Sequence, residues 1–152
     1  MISVVIPTLN EARSLESLVP SLAWEREYVE ILVVDGGSRD GSADLARRLG
    51  ARVLRAGRGR GTQLRAGAEA SSGEVLLFLH ADTVFPPGGL GAINDHLQRR
   101  PQAVGGNFRL LFDGDEPFDR WLEGFYAWIR SKGLYYGDSG NRLRLGPVPR
   151  KP

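Results

Sequence analysis

"VEILVVDGGSRDGSADLARRLGA", residues 29–51, decides how this chain folds. Val29 to Val34 are branched or long apolar residues apart from Glu30, a run suited to a strand whose both faces are covered. Gly36 and Gly37 then let the chain turn sharply. "RDGSADLARRLGA" reads as a helix, with Asp40 or Ser42 near its cap and Gly50 at its end. Strand, glycine turn and helix together make one β-α step.

The step recurs on either side. Toward the N-terminus, "ISVVIP" (2–7) is a branched strand ending at a proline, followed by a helix in "TLNEARSLESLVPSLAW" (8–24). Leu15, Leu18, Val19 and Leu22 recur there at helical spacing, Asn10 is a plausible cap, and Pro20 predicts a kink or an early end. Toward the C-terminus come a short strand "RVLRA" (52–56), a helix "TQLRAGAEAS" (62–71), a strand "GEVLLFLHADT" (73–83) and a helix within "PPGGLGAINDHLQRR" (86–100). "AVGGNFRLLF" (103–112) reads as a further strand with one half-exposed face. Strands alternating with helices predict an α/β domain with a mainly parallel sheet and helices on both faces.

With 152 residues the chain is long enough for one domain with a real core. It has no cysteine, which excludes disulfides and thiolate metal sites. No apolar run approaches the roughly 20 residues of a membrane span. A strand beginning at Ile2 leaves no room for a signal peptide, so a cytoplasmic protein is expected.

The net charge is only +2 but unevenly spread. Arg52, Arg55, Arg58, Arg60 and Arg65 fall within 14 residues that contain no acid. Such a run suits phosphates or simply a solvated loop. Nucleic acid is disfavoured as the partner, because the segment lacks aromatic residues on which bases could stack.

"FDRWLEGFYAWIRSKGLYY" (118–136) carries Phe118, Trp121, Leu122, Phe125, Trp128 and Ile129 as an apolar helical stripe. It reads as a core-facing helix, or else as a ridge for peripheral membrane contact or for a partner subunit. From Gly140 onward, Pro147, Pro149 and four basic residues without an acid read as a tail, so the domain is placed at 1–139 and the tail at 140–152.

In an open parallel sheet, ligands bind beyond the carboxyl ends of the strands. Three strands end there in polar residues: Pro7-Thr8-Leu9-Asn10-Glu11, Asp35-Gly36-Gly37-Ser38 and His80-Ala81-Asp82-Thr83. Asp82 suits a hard divalent cation, and His80, two residues earlier in an extended segment, would share its side of the strand. Neither "DGGSRDG" nor "GRGRGT" supplies the dinucleotide fingerprint, which disfavours a dehydrogenase.

Taken in order, "SVVIPTLNEA", "ILVVDGGSRDGS" and "GEVLLFLHADT" resemble the nucleotide-sugar half of a family 2 glycosyltransferase. They are most similar to a bacterial subgroup in which the Asp-x-Asp metal motif is written His-Ala-Asp. The resemblance runs from Ile2 to about Gly140. It implies an A-type glycosyltransferase fold (Rossmann-like and nucleotide-binding), a nucleotide-diphosphate sugar donor, and Mg²⁺ or Mn²⁺. By position, Pro7, Thr8, Asn10 and Glu11 would line the nucleotide pocket, with Gly36, Gly37 and Ser38 beside it. Asp35 would accept a hydrogen bond from the base. Gln63 and Arg65 lie in a segment that approaches the nucleotide in the family, where relatives commonly have Asn in place of Arg65.

His80 and Ala81 would flank the diphosphate, and the metal would rest on Asp82. The resemblance further implies an inverting displacement helped by a carboxylate base, commonly part of a Glu-Asp pair. No such pair occurs after residue 112, so the catalytic base and the acceptor stay unassigned and a chain truncated at the C-terminus is expected. Apolar surface exposed by an incomplete fold predicts a homo-oligomer. The alternative to a transferase is a nucleotide-sugar-binding module without turnover.

Overall fold

The computed structural model describes residues 1–23, 29–103 and 105–107, six helical positions between 117 and 128, and residues 142–145. Strands β1 (Ile2–Thr8), β2 (Val29–Asp35), β3 (Arg52–Arg55) and β4 (Val75–Phe78) alternate with helices α1 (Ala12–Leu22), α2 (Ser42–Arg48), α3 (Arg60–Ala70) and α4 (Gly89–Arg99). Two further strands, β5 (Gly105–Asn107) and β6 (Arg142–Leu145), complete one sheet of order β3-β2-β1-β4-β6-β5. The first four strands are parallel, and β6 runs antiparallel to both β4 and β5. The α/β architecture read from the sequence is therefore the observed one.

Side chains alternate between two apolar layers, as the period of two in a strand requires. Ile2, Val4 and Ile6 of β1 and Val33 of β2 pack with Leu15, Leu18, Val19 and Leu22 of α1, Ala46 of α2, and Leu90 and Ile93 of α4. Val5, Leu32 and Val34 point the other way, where Leu64, Ala66 and Ala70 of α3 lie against them. Helices thus cover both faces, and burial of these branched residues supplies the main drive for folding. Pro20 does not shorten α1, which continues to Leu22. The proline sits in the last turn, where its missing N–H forfeits a single bond, to Glu16 O, and the helix ends two residues later.

α3 approaches the sheet closely at Gly67. A Cβ there would lie 2.3 Å from Val5 Cγ1 and 3.0 Å from Val34 Cγ2, so only glycine fits beneath the strands.

At the amino ends of the strands, Glu30 ties three segments together. Its carboxylate accepts from Ser3 Oγ (2.6 Å), from Ser72 N and Oγ (2.9 Å each) and from Arg52 Nη1 (3.0 Å). Burial raises its pKa, but the bonds from Ser3, Ser72 and Arg52 together outweigh that and hold it below the ordinary carboxylate value.

Two expectations change here. Residues 142–145, assigned by composition to the tail at 140–152, form β6 at the heart of the antiparallel part of the sheet. Arg-Leu-Arg-Leu alternates with the period of a strand, which the prolines after it overshadowed in a composition reading. Phe118, Trp121, Phe125 and Trp128 do not face the core: they are 63%, 58%, 37% and 57% exposed. Their rings stack on one another, with centroids 5.9, 5.4 and 6.1 Å apart along the series. Leu122 and Ile129, also assigned to that stripe, lie outside the described residues, as do Phe108, Leu110 and Phe112 of the expected strand.

Candidate functional site

The order β3-β2-β1-β4 places a switch point between β1 and β4, because the chain builds outward from β1 to β3 and then crosses back to β4. Ligand crevices in such sheets open at this point, outside the carboxyl ends. Thr8 is in register with Asp35, and Val5 with Phe78, so the loops after β1, β2 and β4 leave from one edge. Strand tips two places apart are about 10 Å apart across the sheet. The loops that carry Asp35 and Asp82 therefore leave from the same edge of the molecule.

The loops after β1 and β2 are knitted into one platform. Asn10 adopts a left-handed backbone (φ +58°), a conformation that Asn tolerates better than most residues. This turn lets Asn10 N donate to Ser38 Oγ (2.9 Å) while Arg39 N donates to Asn10 Oδ1 (2.9 Å). Glu11 N donates to Ser42 Oγ (2.9 Å), and Ala12 N to Asp40 Oδ2 (3.0 Å). Asp40 Oδ1 also accepts from Ser42 N (3.0 Å), the first residue of α2, and the bond from Ser42 Oγ holds the Asp40 carboxyl below its usual pKa. Glu11 itself accepts from Ser14 Oγ (2.8 Å) at the start of α1. Thr8 is buried, and Pro7 is half-buried beside it.

Asp35 is buried at 2% exposure. Its carboxylate accepts from Gly37 N (3.3 Å) and Ser38 N (3.0 Å), the local turn that Asp favours. Lone pairs remain, since an ionised carboxylate offers about four acceptor positions. Gly37 has a positive φ of 98°, so the turn after Asp35 requires glycine. Gly36 N donates to Thr8 O (2.9 Å), and Gln63, 4% exposed, donates from Nε2 to both Thr8 O and Val34 O at 2.7 Å.

The tip of β4 differs from its sequence reading. The strand ends at Phe78, and residues 80–83 form a turn closed by Thr83 N donating to His80 O (3.2 Å). His80 and Asp82 thus occupy a turn instead of sharing one side of an extended strand. Strand periodicity does not apply to them. Ala81 is buried in the main core and anchors the turn, which leaves Asp82 exposed and His80 half-buried. The Arg60 guanidinium, at the first residue of α3, lies against His80 Nε2. Arg65 projects from α3 to pair with Glu69 (2.8 Å), and Arg52 pairs with Glu30 at the opposite edge, so the arginine run is not one cationic surface.

The edge thus gathers Thr8, Asn10, Glu11, Asp35 to Ser38, Gln63 and the His80–Asp82 turn, while Arg65 is directed into a surface ion pair. Asp40, Ser42 and Arg60 belong to the same assembly, although the sequence reading named them only as cap candidates and as part of the arginine run, not as site residues. Their signals were present: an Asp two residues before a Ser-led helix, and an arginine opening a helix after Gly59. Among the described residues, no group of three or more His, Asp or Glu side chains forms a ready-made metal cage. The donor set is one exposed carboxylate, Asp82. That fits a hard cation completing its shell from water and phosphate oxygens, as Mg²⁺ commonly does.

Comparison with known proteins agrees with this α/β fold. The family model described as glycosyl transferase family 2 matches residues 3–146. An undecaprenyl-phosphate 4-deoxy-4-formamido-L-arabinose transferase of Pseudomonas aeruginosa is 36% identical over 159 residues, covering 95% of this chain and 46% of that protein. An uncharacterized glycosyltransferase of Nostoc sp. is 38% identical over 94 residues, 57% of this chain and 29% of the relative. Among solved structures, glucosyl-3-phosphoglycerate synthase from Mycobacterium tuberculosis, in complex with Mn²⁺ and UDP-glucose, superimposes with a TM-score of 0.73 and 25% identity. The match covers 95% of this chain and 56% of the synthase. A mannosyltransferase from Pyrobaculum calidifontis, solved with GDP-Man and Mn²⁺, shares the fold with a TM-score of 0.70 at 21% identity, covering 95% of this chain and 44% of the other.

The chain spans less than half the length of these two curated relatives. With nearly all of its own residues inside the family match, and a parallel sheet whose strand tips converge at the switch point, the chain belongs to glycosyl transferase family 2.

Proposed function

We propose that this chain binds a nucleotide-diphosphate sugar across the carboxyl edge of the sheet, together with a divalent cation, and serves transfer of the sugar to an acceptor with inversion. The observation that carries the reading is the shared edge: Asp35, in register with Thr8, on one side of β1 and the His80–Asp82 turn on the other. Asp35 accepts an N–H of the base with its remaining lone pairs. The platform of Asn10, Glu11, Ser38 and the backbone around Gly36 and Gly37 supports the nucleoside. Asp82 holds the cation beside the diphosphate, with Arg60 and His80 next to it, while Arg65 borders the edge from α3.

When bound, the cation supplies charge neutralisation for the leaving diphosphate. The residues of the chain orient the donor. The carboxylate that would take the acceptor's proton is not assigned to any of them. Family membership supports the choice of donor class, as do the Mn²⁺ and nucleotide sugars with which the structural neighbours were solved. A cytoplasmic location, where nucleotide sugars are available, is part of the proposal; no helix among the described residues is long and apolar enough to cross a membrane.

Calorimetric titration with UDP and GDP in Mn²⁺, run beside a donor-hydrolysis assay, tests the reading. Metal-dependent binding with release of nucleoside diphosphate from the sugar donor is expected. Binding without release would favour a donor-binding module, and no binding of either nucleotide would sink both readings.

A further inference from the structure

Gln63 is buried, and both of its observed bonds run to backbone carbonyls of different strands. Thr8 O already accepts Gly36 N, so Gln63 takes its second lone pair. Val34 O belongs to the peptide that leads directly into Asp35. With Ala56 N donating to Asp35 O (3.0 Å), the peptides before and after Asp35 are both held from outside β2. The amide of Gln63 lies across the last paired rung of β1 and β2, Thr8 with Asp35. Each Nε2 hydrogen is engaged at 2.7 Å, so a direct bond from this nitrogen to a ligand would first have to break one of those two.

We propose that Gln63 is a positioning residue: it sets the separation of the β1 and β2 tips and the direction of the Asp35 carboxylate, and it acts on the nucleotide only through them. This rests on the donor-binding reading above, and gives Gln63 a role other than that of a pocket-lining ligand. Gly36 is its mechanical partner. A Cβ on Gly36 would come within 3.0 Å of Gln63 Nε2, 3.1 Å of Cδ and 3.3 Å of Oε1. A free glutamine would move aside at little cost, but this one is held at both carbonyls, so a methyl at 36 must push the brace by a few tenths of an ångström against its two hydrogen bonds.

The test uses Gln63→Glu, Gln63→Ala, Gly36→Ala and the double variant Gln63→Ala with Gly36→Ala, each first shown folded by its thermal unfolding curve. Gln63→Glu keeps the shape but loses the pair of donors. Each is titrated calorimetrically with UDP and GDP in Mn²⁺. Each single variant is expected to weaken binding about tenfold or more while remaining folded, the scale of one lost hydrogen bond. The double variant should bind within about threefold of Gln63→Ala alone, because the shortened side chain makes room for the new methyl. Folded Gln63→Glu binding as tightly as the unaltered chain would overturn the inference and leave donor binding standing. Losses that multiply in the double variant would likewise overturn the mechanical coupling to Gly36. An unaltered chain that binds neither nucleotide would overturn the donor-binding reading itself, and this inference with it.

Discussion

Gly67→Ala is the substitution that tries the packing of α3 on the sheet most sharply. On an exposed helix, replacing glycine by alanine stabilises by about 1 kcal/mol. Here the added Cβ would stand 2.3 Å from Val5 Cγ1, whereas carbon atoms pack at roughly 3.5–4.0 Å. α3 must therefore lift from the sheet by about 1.2 Å or more, or Val5 must leave its rotamer in a fully buried position. Overpacking of this kind costs about 1–3 kcal/mol, and contact with a central strand argues for the upper end. Subtracting the propensity gain leaves a net loss of roughly 2 kcal/mol.

For a domain of this size that lowers Tm by about 4–8 °C. Differential scanning calorimetry reads it directly. Val5→Ala removes the struck methyl, so in the Gly67→Ala background it should cost less than in the unaltered chain, a coupling on the order of 1 kcal/mol. Gln63 stands one turn before Gly67 on the same helix face, so lifting α3 should also weaken nucleotide binding. A Gly67→Ala protein as stable as the original, or more stable, would refute the placement of α3 and everything built on it.

Other expectations follow from the same contacts. Because the pKa of Glu30 is lowered in the folded state, its stabilising effect is present above the ordinary value of 4.5 and is lost as pH falls through the lower folded value. Urea unfolding of Glu30→Gln should therefore show lower stability than the original near neutral pH, with a gap that closes in acid; a constant gap would contradict this. Asp82→Asn should leave the unfolding curve nearly unchanged, the residue being exposed, while removing the Mn²⁺ dependence of UDP or GDP binding. Asp40→Ala releases the bonds to Ala12 N and Ser42 N, and amide exchange should rise at both positions but not in β1. The exposed rings of Phe118, Trp121, Phe125 and Trp128 predict self-association that Trp121→Ser weakens, and sedimentation showing a stable monomer at micromolar concentration would count against it.

What the sequence by itself determined was the local and periodic part of this protein. Branched apolar runs marked β1, β2 and β4, the leucine spacing marked α1, and glycines at 37 and 50 marked turns whose positive φ the structure shows. Their alternation implied a parallel sheet, and the polar strand ends implied the edge where a ligand would sit. These features arise within a few residues of one another, so side-chain period and turn chemistry suffice to read them.

Tertiary structure alone decided the rest. Whether Arg142–Leu145 was tail or strand depended on an open edge at β4 to pair with. The fold set the His-Ala-Asp segment in a turn with Ala81 in the core and Asp82 exposed. Gln63 was read in a helix and, by resemblance, near the nucleotide, but only the fold brought it to Thr8, 55 residues away in the chain. A hydrogen bond between distant segments has no signature in local propensity, because the carbonyl it will meet is positioned by the sheet and not by its neighbours in sequence.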